Sequence, residues 1–199
     1  MPMIKVSMAL IHTITPYLGE KIMKANYPYR IDEANGIVYA WFTKMEYRGE
    51  SVTSDLEPKL ILFEDKYYDI YQKVGNDTFA DLLHKLHSNI RQFFPLDEVQ
   101  KRETYLWFEN DQLVGSIRIY QNKEENCYEI ERLMVAPEYQ GKGYGTKLLN
   151  FIVAKLQQTN RTPIVLTVAA CNDKAIRMYE KFGFVPIGEE MDEWKIEGC

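Results

Sequence analysis

Three glycines within five residues, Gly141, Gly143 and Gly145, stand between an apolar run that ends at Val135 and a stretch from Gly143 to Gln157. In that stretch Leu148, Leu149, Ile152, Val153 and Leu156 recur at helical spacing. Strand, tight loop and amphipathic helix are the elements this pattern predicts, and Pro163 to Val168, rich in β-formers, supplies a further buried strand. Glycine turns a chain sharply and leaves no side chain in a ligand's way. The following helix start carries unpaired N–H groups and partial positive charge, so the loop suits a pyrophosphate. Two other phosphate loops are excluded by spelling. No Gly-Lys-Ser or Gly-Lys-Thr closes a P-loop frame, and glycines spaced two and two do not make the dinucleotide pattern G-x-G-x-x-G.

Around this centre the chain reads as an α/β protein. Leu10 to Lys24 is patterned as a helix, and Tyr29–Ile31 with Ile37–Phe42 flank the turn Ala34-Asn35-Gly36 as a hairpin. Leu60–Phe63 is a short strand, and Lys66–Lys73 a helix that Gly75-Asn76-Asp77 should break. A second helix, with Phe79, Leu82, Leu83, Leu86 and Ile90 on one stripe, should end near Pro95. Thr104–Phe108 and Leu113–Tyr120 read as strands joined by Glu109-Asn110-Asp111-Gln112, and Tyr128–Val135 as a third. Asn172–Phe182 is a helix stopped by Gly183, after which Phe184–Ile187 and Glu193–Ile196 are expected to close the sheet as a final pair. Residues 1–57 are taken as an N-terminal extension and 58–199 as the main domain.

Composition narrows the function. A hydrophobic fraction of 46% and a charged fraction of 27% are those of a globular chain, and no run approaches the roughly 18 apolar residues of a membrane span. Residues 1–18 lack the basic start and cleavage site of a signal peptide, so a cytoplasmic location is expected. The net charge of −5 is spread along the chain, which speaks against a nucleic-acid partner. Cys127, Cys171 and Cys199 are too few and too scattered for a disulfide framework or a C-x-x-C metal site. His84 and His87 have helical spacing but no further ligand nearby in sequence, so no metal is expected.

Gln140-Gly141-Lys142-Gly143-Tyr144-Gly145 matches the acetyl-CoA loop of the GNAT acetyltransferase superfamily, written Q or R, x, x, G, x, G or A. Asn172, Ala175, Tyr179 and Gly183-Phe184 match that family's second signature, and the chain resembles the family from about Pro58 to Ile196. The resemblance implies a mixed, mostly antiparallel sheet flanked by helices and splayed between its fourth and fifth strands. It implies acetyl-CoA as co-substrate, held by Leu133, Met134, Val135, by Gln140, Gly141, Lys142, Gly143, Tyr144, Gly145 and Thr146, and by Asn172, Ala175 and Tyr179. It implies direct transfer of an acetyl group to a primary amine, with an N–H near Leu133 as oxyanion donor.

Transfer to an amine needs a neutral nitrogen and a proton for the departing thiolate. By resemblance Tyr179 is the acid. Glu129, eleven residues before Gln140, is the base, with Glu131 or an ordered water as alternatives. Simple alternation puts Glu129 and Glu131 on one face with Leu133. Tyr27, Tyr29, Tyr39, Trp41, Phe42 and Tyr47 could fill the core or line the acceptor pocket, and Cys171 suits a small buried role. The competing functional class is a catalytically silent acyl-CoA sensor. Edge strands within 184–196 could join two copies into a homodimer.

Overall fold

A computed structural model describes residues 29–55, 59–86, 95–158 and 162–195. The helix expected at Leu10–Lys24, together with Tyr27, His87 and Ile90, lies outside them. The strands are β1 (Tyr29–Asp32), β2 (Ile37–Tyr47), β3 (Leu60–Leu62), β4 (Thr104–Glu109), β5 (Gln112–Asn122), β6 (Cys127–Val135), β7 (Ile164–Ala169) and β8 (Phe184–Lys195). The helices are α1 (Tyr68–Lys85), α2 (Glu98–Arg102), α3 (Tyr144–Gln157) and α4 (Asp173–Phe182).

All eight strands form one sheet in the order β1-β2-β7-β6-β5-β4-β3, with β8 also paired to β2. Every pairing is antiparallel except β6 with β7, the pair that brackets α3. The sheet is thus the mixed, mostly antiparallel one expected, with helices packed on both faces. On one face Leu148, Leu149, Ile152 and Val153 of α3 join Ile117, Ile130 and Val135 in the main core. On the other, Tyr71 and Val74 of α1 join Leu106, Leu113 and Met134. Adjacent residues Met134 and Val135 therefore belong to different cores, as the two-residue period of a strand requires.

Turn chemistry behaved as its residues dictate. Asn110 and Asp111 take φ of 50° and 62° in the two-residue β4–β5 turn, the left-handed pair such a hairpin needs. The 29–42 hairpin forms as well, with Tyr29 opposite Ala40.

Two expectations are corrected, and one further helix is added. Helix α1 runs unbroken through Gly75 and Asp77. Glycine inside a helix costs about 1 kcal/mol, and burial of Tyr71 and Val74 on the same stretch offsets it. A short helix, α2, occupies 98–102, started by a capping box in which Asp97 accepts from the N–H groups of Val99 and Gln100 at 2.9 and 2.8 Å, while the Gln100 side chain accepts from the Asp97 N–H. The C-terminal pair does not form, because β8 runs without a turn from Phe184 to Lys195 and its partner along the whole length is β2.

Residues 42–46 of β2 pair β7 and β8 at once, so β2 lies between them. The domain boundary expected at residue 57 falls in a stretch outside the described residues, and the hairpin before it belongs to the same sheet as β6, the strand that leads to the glycine motif.

Candidate active site

β6 and β7 pair only from Tyr128 to Ile130 against Ile164 to Leu166, although β6 continues to Val135 and β7 to Ala169. Counted from β3, these are the fourth and fifth strands, and beyond Ile130 they part. At the same level β6 carries a bulge. Ser116 pairs with Met134 and Arg118 with Glu131, so Arg132 and Leu133 together face the single residue Ile117. Arg132 takes φ of 49° there, unusual for a residue with a side chain.

The bulge overturns the alternation argument. Leu133 packs into the α3-side core with Ile130 and Val135, whereas Glu129 and Glu131 project from the other face beside Tyr120 and Arg118 of β5. One extra residue reverses the face of everything beyond it.

Past Val135 the chain makes a 3-10 turn over Pro137–Tyr139 and reaches the loop. Gly141 and Gly143 take φ of 74° and 83°, and a Cβ built on either would meet nothing within 4 Å. Sterically empty, left-handed glycines leave the backbone open to an approaching ligand. Gly143 is the N-cap of α3 and no side chain caps this 14-residue helix, whose N–H groups begin to bond internally at Lys147 to Gly143. This combination fits the oxygens of a pyrophosphate.

The Gln140 side chain folds back, donating to the Val135 carbonyl at 3.0 Å and accepting from Lys174 of α4 at 2.9 Å. It thereby ties loop, strand and helix together. Thr78 of α1 donates to the same Val135 carbonyl at 3.3 Å. Gly145 has another task, since its Cβ would come within 2.9 Å of Met178 Sδ where α3 meets α4. Beyond it lies a cavity of about 200 Å³ lined by Thr146, Met178, Lys181 and Phe182.

α4 begins with Asn172, whose side chain accepts from the Ala175 N–H at 3.2 Å, and ends at Gly183 with φ of 115°. Asn172 and Gly183 of the second signature are thus the two caps of one helix. Tyr179 between them is buried in the α3-side core, its ring 5.9 Å from that of Phe184. Burial alone pushes its phenol up to about 12.

The opposite face of β6 is polar. Glu129 accepts from the Tyr120 hydroxyl at 2.5 Å and from Asn122 Nδ2 at 2.6 Å. Glu131 is bonded to Arg118, which also grips Glu103 at 2.8 and 3.1 Å. Lys44 of β2 is bonded to Glu125 and lies 3.8 Å from Glu190. Burial pulls its ammonium down, but Glu125, Glu190 and Glu129 outweigh that and hold it protonated. Tyr120, Asn122, Arg118 and Lys44 were not singled out from the sequence, where each is one polar residue on a strand. Only pairing reveals them.

Glu125, Cys127 and Glu129 offer three donor atoms within 4.8 Å of one another, with Lys44 already neutralising part of that charge. Cys171 is half-buried against the small core around Ala40 and Ala169, which Tyr29 and Phe42 also join. The Tyr47 ring lies tilted to Phe182 and edge-on to Phe184, with centroids 5.6 and 5.3 Å away, so Tyr29, Phe42 and Tyr47 are each half-buried against a core cluster.

Comparison with known proteins places this geometry. The model of the acetyltransferase (GNAT) family matches residues 63–184. Spermidine N(1)-acetyltransferase of Vibrio cholerae is 29% identical over 129 residues, 61% of this chain and 66% of that protein. N-acetylaspartate synthetase of Danio rerio is 25% identical over 159 residues, 78% of this chain and 54% of that protein. A GNAT-family structure from Novosphingobium aromaticivorans superposes with a TM-score of 0.59 at 19% identity, covering 82% of this chain and 65% of the other, a likeness of fold. The chain spans less than two thirds of the length of each of these relatives.

Proposed function

The chain belongs to the GNAT acetyltransferase family, and from that premise we propose that it transfers an acetyl group from acetyl-CoA directly to a primary amine. The observation that carries the proposal is the uncapped start of α3, with Gly141 and Gly143 held open before it, beside a strand that leaves its neighbour after Ile130.

In this reading the backbone of Leu133, Met134 and Val135 pairs with the pantetheine arm where β6 has lost its partner. Gln140 to Thr146 hold the pyrophosphate, and Asn172 and Ala175 set the start of α4 against the cofactor. The amine attacks the thioester carbonyl, an N–H at the bulge near Leu133 receives the developing oxyanion, and the intermediate collapses with loss of the thiolate. Tyr179 donates to that sulfur. With its phenol near 12 it stays protonated at any working pH. Glu129 removes the amine proton, directly or through a water, while Glu131 is committed to Arg118. No metal takes part.

The acceptor amine to try first is a polyamine, because the Vibrio relative is a spermidine acetyltransferase and a carboxylate-rich face suits a cation. We place the protein in the cytoplasm, in keeping with its free Cys127 and Cys171; no helix among the described residues is long and apolar enough to cross a membrane. A homodimer through β8 would align Glu189, Glu190, Asp192 and Glu193 of two copies, so a monomer is the better proposal.

The test is thiol release from acetyl-CoA against polyamines, aminoglycosides, amino acids and peptides with free amines. Release with one amine class supports the reading. Tight CoA binding with no release from any amine would replace it with a CoA-binding sensor.

A further inference from the structure

On the polar face of β6, the Glu129 carboxylate is the group most heavily held by side chains of another strand. Each of its oxygens takes one donor, Oε2 from the Tyr120 hydroxyl at 2.5 Å and Oε1 from Asn122 Nδ2 at 2.6 Å. Both donors come from β5, two residues apart and therefore on one face. Tyr120 stands directly opposite Glu129 in the pairing, and Asn122 opposite Cys127.

Neither donor is free to turn away. The Asn122 Oδ1 accepts from the N–H groups of Glu124 and Glu125, each at 3.1 Å, in the turn that follows β5. An amide whose oxygen is so engaged must present its NH₂ group to the carboxylate, which also settles which way round the side chain sits. Tyr120 is clamped from its other side by the Arg118 guanidinium, 4.7 Å above the ring centroid. Arg118 is itself fixed by Glu103 and Glu131. A chain of contacts thus runs from the end of α2 through Arg118 and Tyr120 to Glu129.

We infer that Tyr120 and Asn122 are positioning residues that hold the Glu129 carboxylate in one orientation, one donor to each oxygen, leaving its remaining lone pairs for the acceptor amine or its water. This inference rests on the reading of Glu129 as the base for its effect on rate, but not for its geometry. A carboxylate without these donors rotates among several orientations, and a proton acceptor must be within about 3 Å of its proton in the right direction to act. Burial and the bond to Glu129 both push the Tyr120 phenol up, so it remains a donor across the working range. Lys44, bonded to Glu125 in the same turn, helps to hold that turn and with it Asn122.

The experiment has two arms. Crystal structures with coenzyme A are compared for the full chain and for Tyr120→Phe and Asn122→Ala. The expected result is a single Glu129 orientation in the parent and a turned or multiply placed carboxylate in each variant. An unmoved carboxylate in both variants overturns the inference.

The second arm measures kcat and both KM values with the best amine of the acceptor panel. Tyr120→Phe is expected to lower kcat about 10-fold and Asn122→Ala less, with the acetyl-CoA KM unchanged. Tyr120→Phe combined with Glu129→Gln is expected to be no slower than Glu129→Gln alone. Full additivity in the double variant would show that Tyr120 acts on something else. If Glu129→Gln leaves kcat intact while the carboxylate moves as expected, the base assignment fails and the positioning stands. Asn122→Ala guards against a folding defect, since it removes a half-buried amide and leaves the aromatic clamp in place.

Discussion

On the α3 side of β6, Ile130, Leu133 and Val135 lie in an apolar core with Tyr179, whose phenol burial pushes away from ionising. On the α1 side, Glu129 and Glu131 lie one strand away from Tyr120 and Arg118, in a web of charge-assisted hydrogen bonds. The proposed acid and the proposed base are thus on opposite faces of one sheet. In the proposed reaction they would act together across the gap that opens between β6 and β7 after Ile130. A sheet with its strands fully paired would be a wall between two chemistries, and one that splays lets a thioester from one side meet an amine from the other. The two faces thus differ in environment, one apolar around a buried phenol and the other a network of hydrogen-bonded side chains.

The comparison is broken most decisively at Tyr179. Tyr179→Phe keeps the ring packed on Phe184 and removes only the hydroxyl, so kcat is expected to fall about 100-fold with the acetyl-CoA KM nearly unchanged. An unaltered kcat would leave the apolar face with a binding role only.

A second effect follows from the same burial. The folded phenol ionises near 12 against about 10 in the unfolded chain, so the unfolded state loses its proton first. Stability is therefore expected to fall as pH rises from about 10 to 12, by about 2 to 3 kcal/mol from this group. Denaturant titrations of the parent and Tyr179→Phe at pH 9 and 11.5 check it, since the variant should lose less stability over that interval.

The smallest expected effect sharpens the polar side. Glu131→Gln weakens the grip on Arg118, which retains Glu103, and should cost about 1 kcal/mol in thermal stability while leaving kcat within about threefold. A loss of kcat as large as that of Glu129→Gln would exchange the two glutamates' roles.

Where local chemistry decides conformation, the residues were sufficient guides. Gly141, Gly143 and Gly183 stand where the backbone is left-handed, Asn172 where a helix start needs an acceptor, and Asn110-Asp111 where a two-residue turn needs positive φ. Where two local signals compete, tertiary contacts decide. Gly75 breaks nothing because Tyr71 and Val74 around it are buried. Arg132 gives no hint of its left-handed conformation, and the bulge it makes undoes the alternation on which the shared face of Glu129 and Leu133 rested.

By itself the sequence determined the order of elements from β4 to α4, the open glycine loop with its helix start and the capped helix bearing Tyr179. Each depends on residues within a turn or two of one another, whose backbone preferences act wherever the segment finds itself. The tertiary structure alone decided that β2 lies between β7 and β8, that β8 runs unbroken, and that Glu129 is held by Tyr120 and Asn122 while Glu131 is held by Arg118. Those are pairings between distant segments, selected by which apolar faces and which charges can be satisfied together once the whole sheet has formed.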